Sequence, residues 1–107
     1  MLSVTARPTI RTFTPEDTNI PGAIGKDVKL ICIVIAKPPA KMSWKRDLNG
    51  NELSRENDNK VKSISSKQPN TIEMTVNVGA VDEEFYCVAV NFLGNDTQKY
   101  RIRKTGR

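Results

Sequence analysis

Short runs in which apolar and polar residues alternate recur along the chain, and clusters of Gly, Pro, Asn and Asp separate them. Alternation with a period of two is typical of half-buried strands, and no long segment keeps the 3.6-residue period of an amphipathic helix. The pattern therefore predicts an all-β protein. The predicted strands are residues 8–13, a short strand near residue 20, and residues 28–36, 41–46, 61–65, 71–78, 84–90 and 96–104.

The predicted strand at 28–36 is apolar on both of its faces. Leu30 and Cys32 point to one side, and Ile31, Ile33 and Ile35 point to the other. A strand at the surface of a two-layer protein normally has one polar face. The second apolar face therefore indicates either a neighbouring domain or a covering loop.

Two segments carry turn signals. The Asn49-Gly50 pair is the strongest hairpin signal of the chain, and the polar residues that follow, 52–60, are expected to form a mobile loop. Pro21-Gly22 is expected to limit how far the short strand near residue 20 can pair, because proline lacks the N–H that a ladder needs.

Length and composition fit one small domain with a basic surface. The chain has 107 residues, of which 37% are hydrophobic, and 17 Lys and Arg against 12 Asp and Glu give a net charge of +5. Such a charge favours anionic partners, namely a sulfated polysaccharide, an acidic protein face or nucleic acid. The alternative is a surface that is basic without a dedicated partner.

The ends of the chain and its apolar runs give further expectations. No run of about 18 apolar residues that could span a membrane occurs, and residues 1–10 do not have the pattern of a secretory signal. If the parent protein is extracellular, the chain is expected to be a fragment of it. We expect a flexible segment at 1–7, one domain at 8–104 and linker residues at 105–107.

Catalytic chemistry has little support in the sequence. The chain has no histidine, which removes the commonest general base, and it lacks a phosphate-binding loop, a zinc pattern and a nucleophile–base pair. The acidic cluster at 82–84 is expected to be solvated, and the segment 47–51 lacks the later ligands of a calcium loop. We therefore expect no enzymatic activity, no cofactor and no metal. Nucleic-acid binding is not expected, because stacking aromatics are missing among the basic residues.

The two cysteines, Cys32 and Cys87, lie on either side of the single tryptophan, Trp44. Two cysteines are what one disulfide needs, although two buried thiols fit the sequence as well. With Gly25, Pro39, Lys45 and the segment 88–94, these residues make the chain similar to an immunoglobulin domain of the intermediate set. The resemblance implies an antiparallel two-sheet sandwich of Greek-key topology, an inter-sheet disulfide between Cys32 and Cys87, and Trp44 in the core.

One position departs from that family's pattern. Domains of this kind usually have a tyrosine two residues before the second cysteine, and here Phe85 stands there. Strand alternation places Phe85 in the core and Tyr86 outside. The hydrogen bond of the family's tyrosine corner is therefore expected to be absent, unless a shorter turn lets Tyr86 replace it.

Two features could carry function. Asn95-Asp96-Thr97 is a sequon for N-glycosylation and places Asn95 just after a predicted turn. The second feature is a predicted outer face with an apolar centre and a basic border, which suits protein contact, the binding of a sulfated glycan, or protection of a sheet edge. Its predicted members are Lys45, Tyr86, Val88, Val90, Lys99, Arg101 and Arg103.

The resemblance implies a non-catalytic module of a cell-surface adhesion molecule or receptor. Such a module recognises a protein partner, homophilic or heterophilic, or sets the spacing within an extracellular array. One alternative is a structural domain of an intracellular filament protein, similar to those of titin. A second alternative is a domain that binds a sulfated glycan such as heparan sulfate.

Overall fold

The computed structural model describes residues 5–11 and 18–105. In that part of the chain the protein consists of strands and their connections. The strands are β1 (Ala6–Arg11), β2 (Asn19–Ala23), β3 (Asp27–Lys37), β4 (Lys41–Lys45), β5 (Val61–Ser65), β6 (Thr71–Asn77), β7 (Glu83–Asn91) and β8 (Gly94–Thr105).

Two four-stranded sheets pack face to face. The first sheet has the strand order β1-β3-β6-β5, and the second has the order β2-β8-β7-β4. All neighbours are antiparallel except β2 and β8, which run parallel. A hydrogen bond also ties the first sheet to the second, because the backbone N–H of Ile10 donates to Asp96 Oδ2 at 2.8 Å.

The core follows from the alternation along each strand. In β3, every second residue from Leu30 to Ala36 is buried, and Leu30, Met74 and Phe85 are fully enclosed. The Cys32–Cys87 disulfide joins β3 of the first sheet to β7 of the second across this core. The all-β sandwich and its inter-sheet disulfide, both expected from the sequence, are confirmed.

Trp44 and Tyr100 form the aromatic centre of the core. Their ring centroids lie 5.0 Å apart in an edge-to-face arrangement, which is a favourable geometry for aromatic pairs. The hydroxyl of Tyr100 donates a hydrogen bond to the carbonyl of Ile31 at 2.8 Å, so this buried polar group is satisfied by the opposite sheet. The indole Nε1 of Trp44 is buried without a hydrogen-bond partner.

Two local expectations were wrong. Pro21 does not limit pairing, since β2 pairs with β8 from Asn19 to Ala23; β2 is an edge strand, where proline's missing N–H costs no ladder bond. Asn49-Gly50 does make a tight turn, in which the N–H of Gly50 donates to the carbonyl of Asp47 at 2.8 Å. That turn does not build a hairpin, because no strand lies between β4 and β5.

The long connection between β4 and β5 is fastened to the body of the domain by Arg46. Its Nε lies 2.7 Å from Asp58 Oδ2, and its Nη1 lies 2.7 Å from Glu83 Oε1. Its guanidinium carbon also lies 4.4 Å from the centre of the Phe85 ring. Arg46 therefore links the polar connection, the start of β7 and the edge of the core.

The ends of the strands differ slightly from the predicted ones. β1 begins two residues before the predicted domain start and β8 runs one residue past the predicted end. Residues 12 and 13, which were predicted to continue the first strand, lie outside the described residues.

Candidate interaction face

Three rows of side chains cross the outer surface of the second sheet. Directly opposed residues of antiparallel strands point to the same face. The register of β4 with β7 and of β7 with β8 gives these rows. They are Lys45–Tyr86–Lys99, Ser43–Val88–Thr97 and Lys41–Val90–Asn95. We call Lys41, Lys45, Tyr86, Val88, Val90 and Lys99 of these rows, together with Arg101 and Arg103, the β4–β7–β8 face, and Asn95 and Thr97 lie at its border.

The β4–β7–β8 face has an apolar centre and a basic border. Tyr86 and Val88 are half-buried, and Val90 is 43% exposed. Lys41 and Lys99 are exposed at opposite sides, and Lys45 is half-buried beside Tyr86. An apolar centre with a polar, charged border is the usual composition of a protein-binding patch.

The cations of β8 are not all free to bind a partner. Lys99 Nζ lies 3.8 Å from Glu84 Oε2, and Arg101 Nη2 lies 2.9 Å from Asp82 Oδ2. Arg103 Nε donates to Asn19 Oδ1 at 2.9 Å. Two of the three predicted β8 cations are thus partly neutralised, and the basic character of the face lies along β4 and at Arg103.

Two hydrogen bonds hold Asp82 in its ionised form. The backbone N–H of Lys104 donates to its Oδ1 at 2.9 Å, and Arg101 donates to its Oδ2. These two hydrogen bonds lower the pKa of Asp82. Asp82 therefore stays negative at neutral pH and continues to offset the charge of Arg101.

The structure brings together all seven residues predicted for this face and adds two that were not predicted, one member and one acidic neighbour. Lys41 lies in the third row, and Glu84 pairs with Lys99. The period of two could have identified both, because Lys41 is two residues before Ser43 and Glu84 two before Tyr86. The contact between Asp82 and Arg101 joins a turn to a distant strand and has no such local signal.

The sequon lies at the end of the β4–β7–β8 face where β7 turns into β8. Asn95 and Thr97 are both exposed, and Asp96 between them is turned inward to β1. Asn95 is the register partner of Val90, and Thr97 that of Val88. The acceptor asparagine is thus directly beside the apolar centre of the face.

The remaining predicted site residues are in the core. Trp44 is 1% exposed, and Cys32, Cys87 and Phe85 are fully buried. Tyr86 points outward, as strand alternation requires. The tyrosine hydroxyl that forms a hydrogen bond with the first sheet belongs to Tyr100.

The outer surface of the first sheet carries the exposed side of β3. Ile31, Ile33 and Ile35 are 47%, 39% and 53% exposed. The described residues do not include a segment that covers this stripe.

The described residues contain neither a candidate metal-binding cluster nor a helix that could cross a membrane. Within residues 5–11 and 18–105, no group of three or more His, Cys, Asp or Glu side chains is placed to hold a metal ion. In the same residues, no helix has the length and apolar character needed to cross a membrane.

The whole sandwich, with its disulfide and buried tryptophan, is that of an immunoglobulin domain. The family model of the immunoglobulin I-set domain matches residues 11–103. The chain therefore belongs to the immunoglobulin I-set family, which is a non-catalytic fold family. No curated protein sequence matches the chain at a significant level.

Solved structures of titin domains share the fold. The titin M4 domain, in a trigonal crystal form, superposes with a TM-score of 0.72 at 17% identity, over 96% of this chain and all of that one. The titin domains Z1Z2 in complex with telethonin give a TM-score of 0.75 at 18% identity, over 98% of this chain and 51% of that one. The chain thus spans about half of the Z1Z2 tandem. At these identities the likeness shows the fold alone.

Proposed function

We propose that the domain is a protein-recognition module of a cell-surface adhesion molecule or receptor, and that its β4–β7–β8 face binds an acidic partner surface. The observation that carries this proposal is the arrangement of Tyr86, Val88 and Val90 in adjacent positions, bordered by Lys41 and Lys45. Apolar side chains that lose water contribute most of the affinity of such a contact, and the border charges select the partner.

Charge complementarity favours one class of partner. A second copy docked with β4 against β4 would oppose lysines to lysines, so the face favours a heterophilic, acidic surface. A sulfated glycan needs a row of free cations, and Glu84 and Asp82 occupy Lys99 and Arg101. The pairing along β8 therefore favours a protein partner over heparan sulfate.

The sequon supports an extracellular setting for this module. N-glycosylation takes place in the secretory pathway, which is also where a disulfide such as Cys32–Cys87 forms and persists. A partner-binding role also has a precedent in this fold, since one titin tandem of similar structure was solved as a complex with telethonin.

A spacer in a filament protein is the second candidate function. It has support from the likeness of the fold to the titin domains M4 and Z1Z2. Thiol titration of the denatured, non-reduced protein from its native source separates the two settings. Two free thiols would indicate a reducing compartment and would contradict the extracellular proposal, whereas no free thiol supports it.

Selection from a display library of random 12-residue peptides, with the folded domain as bait, tests the binding proposal. We expect the enriched peptides to combine acidic residues with a large apolar residue. The double variant Lys45→Glu/Val88→Asp should weaken their binding at least about tenfold, a loss of roughly 1.4 kcal/mol.

A matched control makes the same two changes on the first sheet, as Lys62→Glu/Ile33→Asp. Both residues are exposed there, and binding should remain within about twofold of the original protein. Enriched peptides without acidic residues, or a loss of binding in the control variant only, would show that this face is not the binding site.

A further inference from the structure

The fold does not use the side chain of Asn95, although it uses the asparagine at the other end of the same turn. Asn91 donates from Nδ2 to the carbonyls of Ala6 and Pro38, both at 3.0 Å, and so holds the start of the chain against the turn after β3. Among the hydrogen bonds of the described residues, none involves the Asn95 side chain, which is exposed. Its amide nitrogen is therefore available for modification.

The backbone presents Asn95 and Thr97 of the sequon on one side of the sheet. Asp96, the middle residue, accepts from the backbone N–H groups of Ile10 and Thr97 and is fixed toward β1. Asn95 and Thr97 consequently both face outward, next to Val90 and Val88. The chain contains no other Asn-x-Ser/Thr sequence, so any N-linked glycan must be attached here.

We propose that an N-linked glycan at Asn95 closes the β4–β7–β8 face to its partner, so that occupancy of this sequon regulates binding. This inference rests on the proposed function of the same face. In the reaction, Asn95 Nδ2 forms a bond to C1 of the first sugar of a polyprenyl-diphosphate-linked oligosaccharide. The bond from C1 to the diphosphate oxygen breaks, the amide loses one proton, and the polyprenyl diphosphate leaves with the bonding electron pair.

The position of Asn95 in the third row explains why the glycan would block binding. Directly opposed residues of neighbouring strands have Cβ atoms about 5 Å apart, and Val90 separates Asn95 from Lys41. A glycan of several sugars is wider than this row. It would cover Val90 and Val88 and hold a large partner away from the lysines of β4.

Two substitutions at one position isolate the effect of the glycan. Thr97→Ser keeps the sequon, and Thr97→Ala removes it, while both leave Asn95 and the apolar centre unchanged. The unmodified chain and both variants are produced in a secreting eukaryotic cell and, without glycan, in an oxidising bacterial periplasm. Enzymatic removal of the glycan is avoided, because it converts Asn95 to a negatively charged Asp.

The readouts are intact mass, affinity for an acidic peptide selected as above, and the rate of acetylation of Lys41 relative to Lys62. The unmodified chain and Thr97→Ser from eukaryotic cells should gain the mass of one glycan and bind the peptide at least about tenfold more weakly than Thr97→Ala. Their Lys41 should also react more slowly. The same three proteins from bacteria should bind alike.

Failure of the inference differs from failure of the proposed function. An absent glycan, or a glycosylated protein that binds as tightly as Thr97→Ala with Lys41 fully reactive, would overturn the regulation by Asn95 while the bacterial proteins still bind. Bacterial proteins that do not bind the peptide would overturn the proposed function, and the mass and the Lys41 rate would still report whether a glycan covers the face.

Discussion

At the scale of single residues, a few charged contacts at the margin of the core stabilise the fold of this domain. Arg46 is the clearest case, since it binds Asp58 and Glu83 and lies over the Phe85 ring. Hydrogen bonds to partly buried charged groups contribute more than exposed ion pairs. The polar connection before β5 is therefore held by one arginine rather than by a sheet partner.

Replacement of Asp58 tests this contact through its pH dependence. The hydrogen bond from Arg46 lowers the pKa of Asp58 in the folded protein. The stabilisation is therefore complete above the pKa of the unfolded state, about 3.9, and is lost as the pH falls through the lower pKa of the folded state. Asp58→Asn should lower the free energy of unfolding by about 1–2 kcal/mol at pH 7 and by much less near pH 2.

Urea unfolding followed by tryptophan fluorescence at the two pH values measures this effect. Glu56→Gln, in the same connection and exposed, serves as the control and should change stability little. A loss of the same size at both pH values would show that the carboxylate charge of Asp58 is not what Arg46 recognises.

Among the strands, β8 shows how the charge of a strand changes once its neighbours are known. Its alternation of cations with Tyr100 and Ile102 indicates a basic outer row. Glu84 and Asp82, from β7 and the turn before it, lie against two of these cations. The element is thus basic by sequence and only weakly basic in its sheet.

Removal of the two acids should expose the charge of β8. We expect Asp82→Asn/Glu84→Gln to elute from a heparin column at higher salt than the original protein, because Lys99 and Arg101 become free to contact sulfate groups. The Asn side chain keeps an oxygen that can accept the Lys104 N–H, so the strand end should persist.

The control for this prediction changes the total charge by the same amount elsewhere. Glu52→Gln/Glu56→Gln replaces two exposed acids of the β4–β5 connection. It should shift the elution less than the β8 variant does. Equal shifts would mean that retention follows net charge and not the pairing along β8.

At the scale of the whole molecule, the disulfide and the aromatic pair hold two sheets together. Cys32 and Cys87 are 55 positions apart in sequence, and the bridge joins a central strand of one sheet, β3, to the central hairpin of the other. A bond that closes so long a loop restricts the unfolded chain strongly. It contributes to stability without shaping the β4–β7–β8 face directly.

Removal of the bridge in Cys32→Ala/Cys87→Ala should therefore lower the free energy of unfolding by roughly 2–5 kcal/mol. Denaturant unfolding measures the loss, and circular dichroism of the native state shows whether the sandwich is retained. Stability unchanged within about 0.5 kcal/mol would contradict a structural role for the bridge.

Much of the domain could be predicted from the sequence because the controlling forces are local. Strand alternation identified the core positions of β3 and β7 and the outward direction of Tyr86 and Val88. The spacing of Cys32, Trp44 and Cys87 indicated the sandwich through its resemblance to a known family. The turn at Asn49-Gly50 was also read correctly as a turn, since its geometry depends on adjacent residues.

Contacts between distant segments were decided only by the tertiary structure. The absence of a strand after Asn49-Gly50, the neutralisation of Arg101 by Asp82, and the place of Asn95 beside Val90 all depend on which strands become neighbours and in what register. Alternation assigns a residue to a face, but the residue opposite it comes from another part of the chain. The sequence by itself thus determined the sandwich and its outward residues, whereas folding determined which charges cancel and which surface the sequon borders.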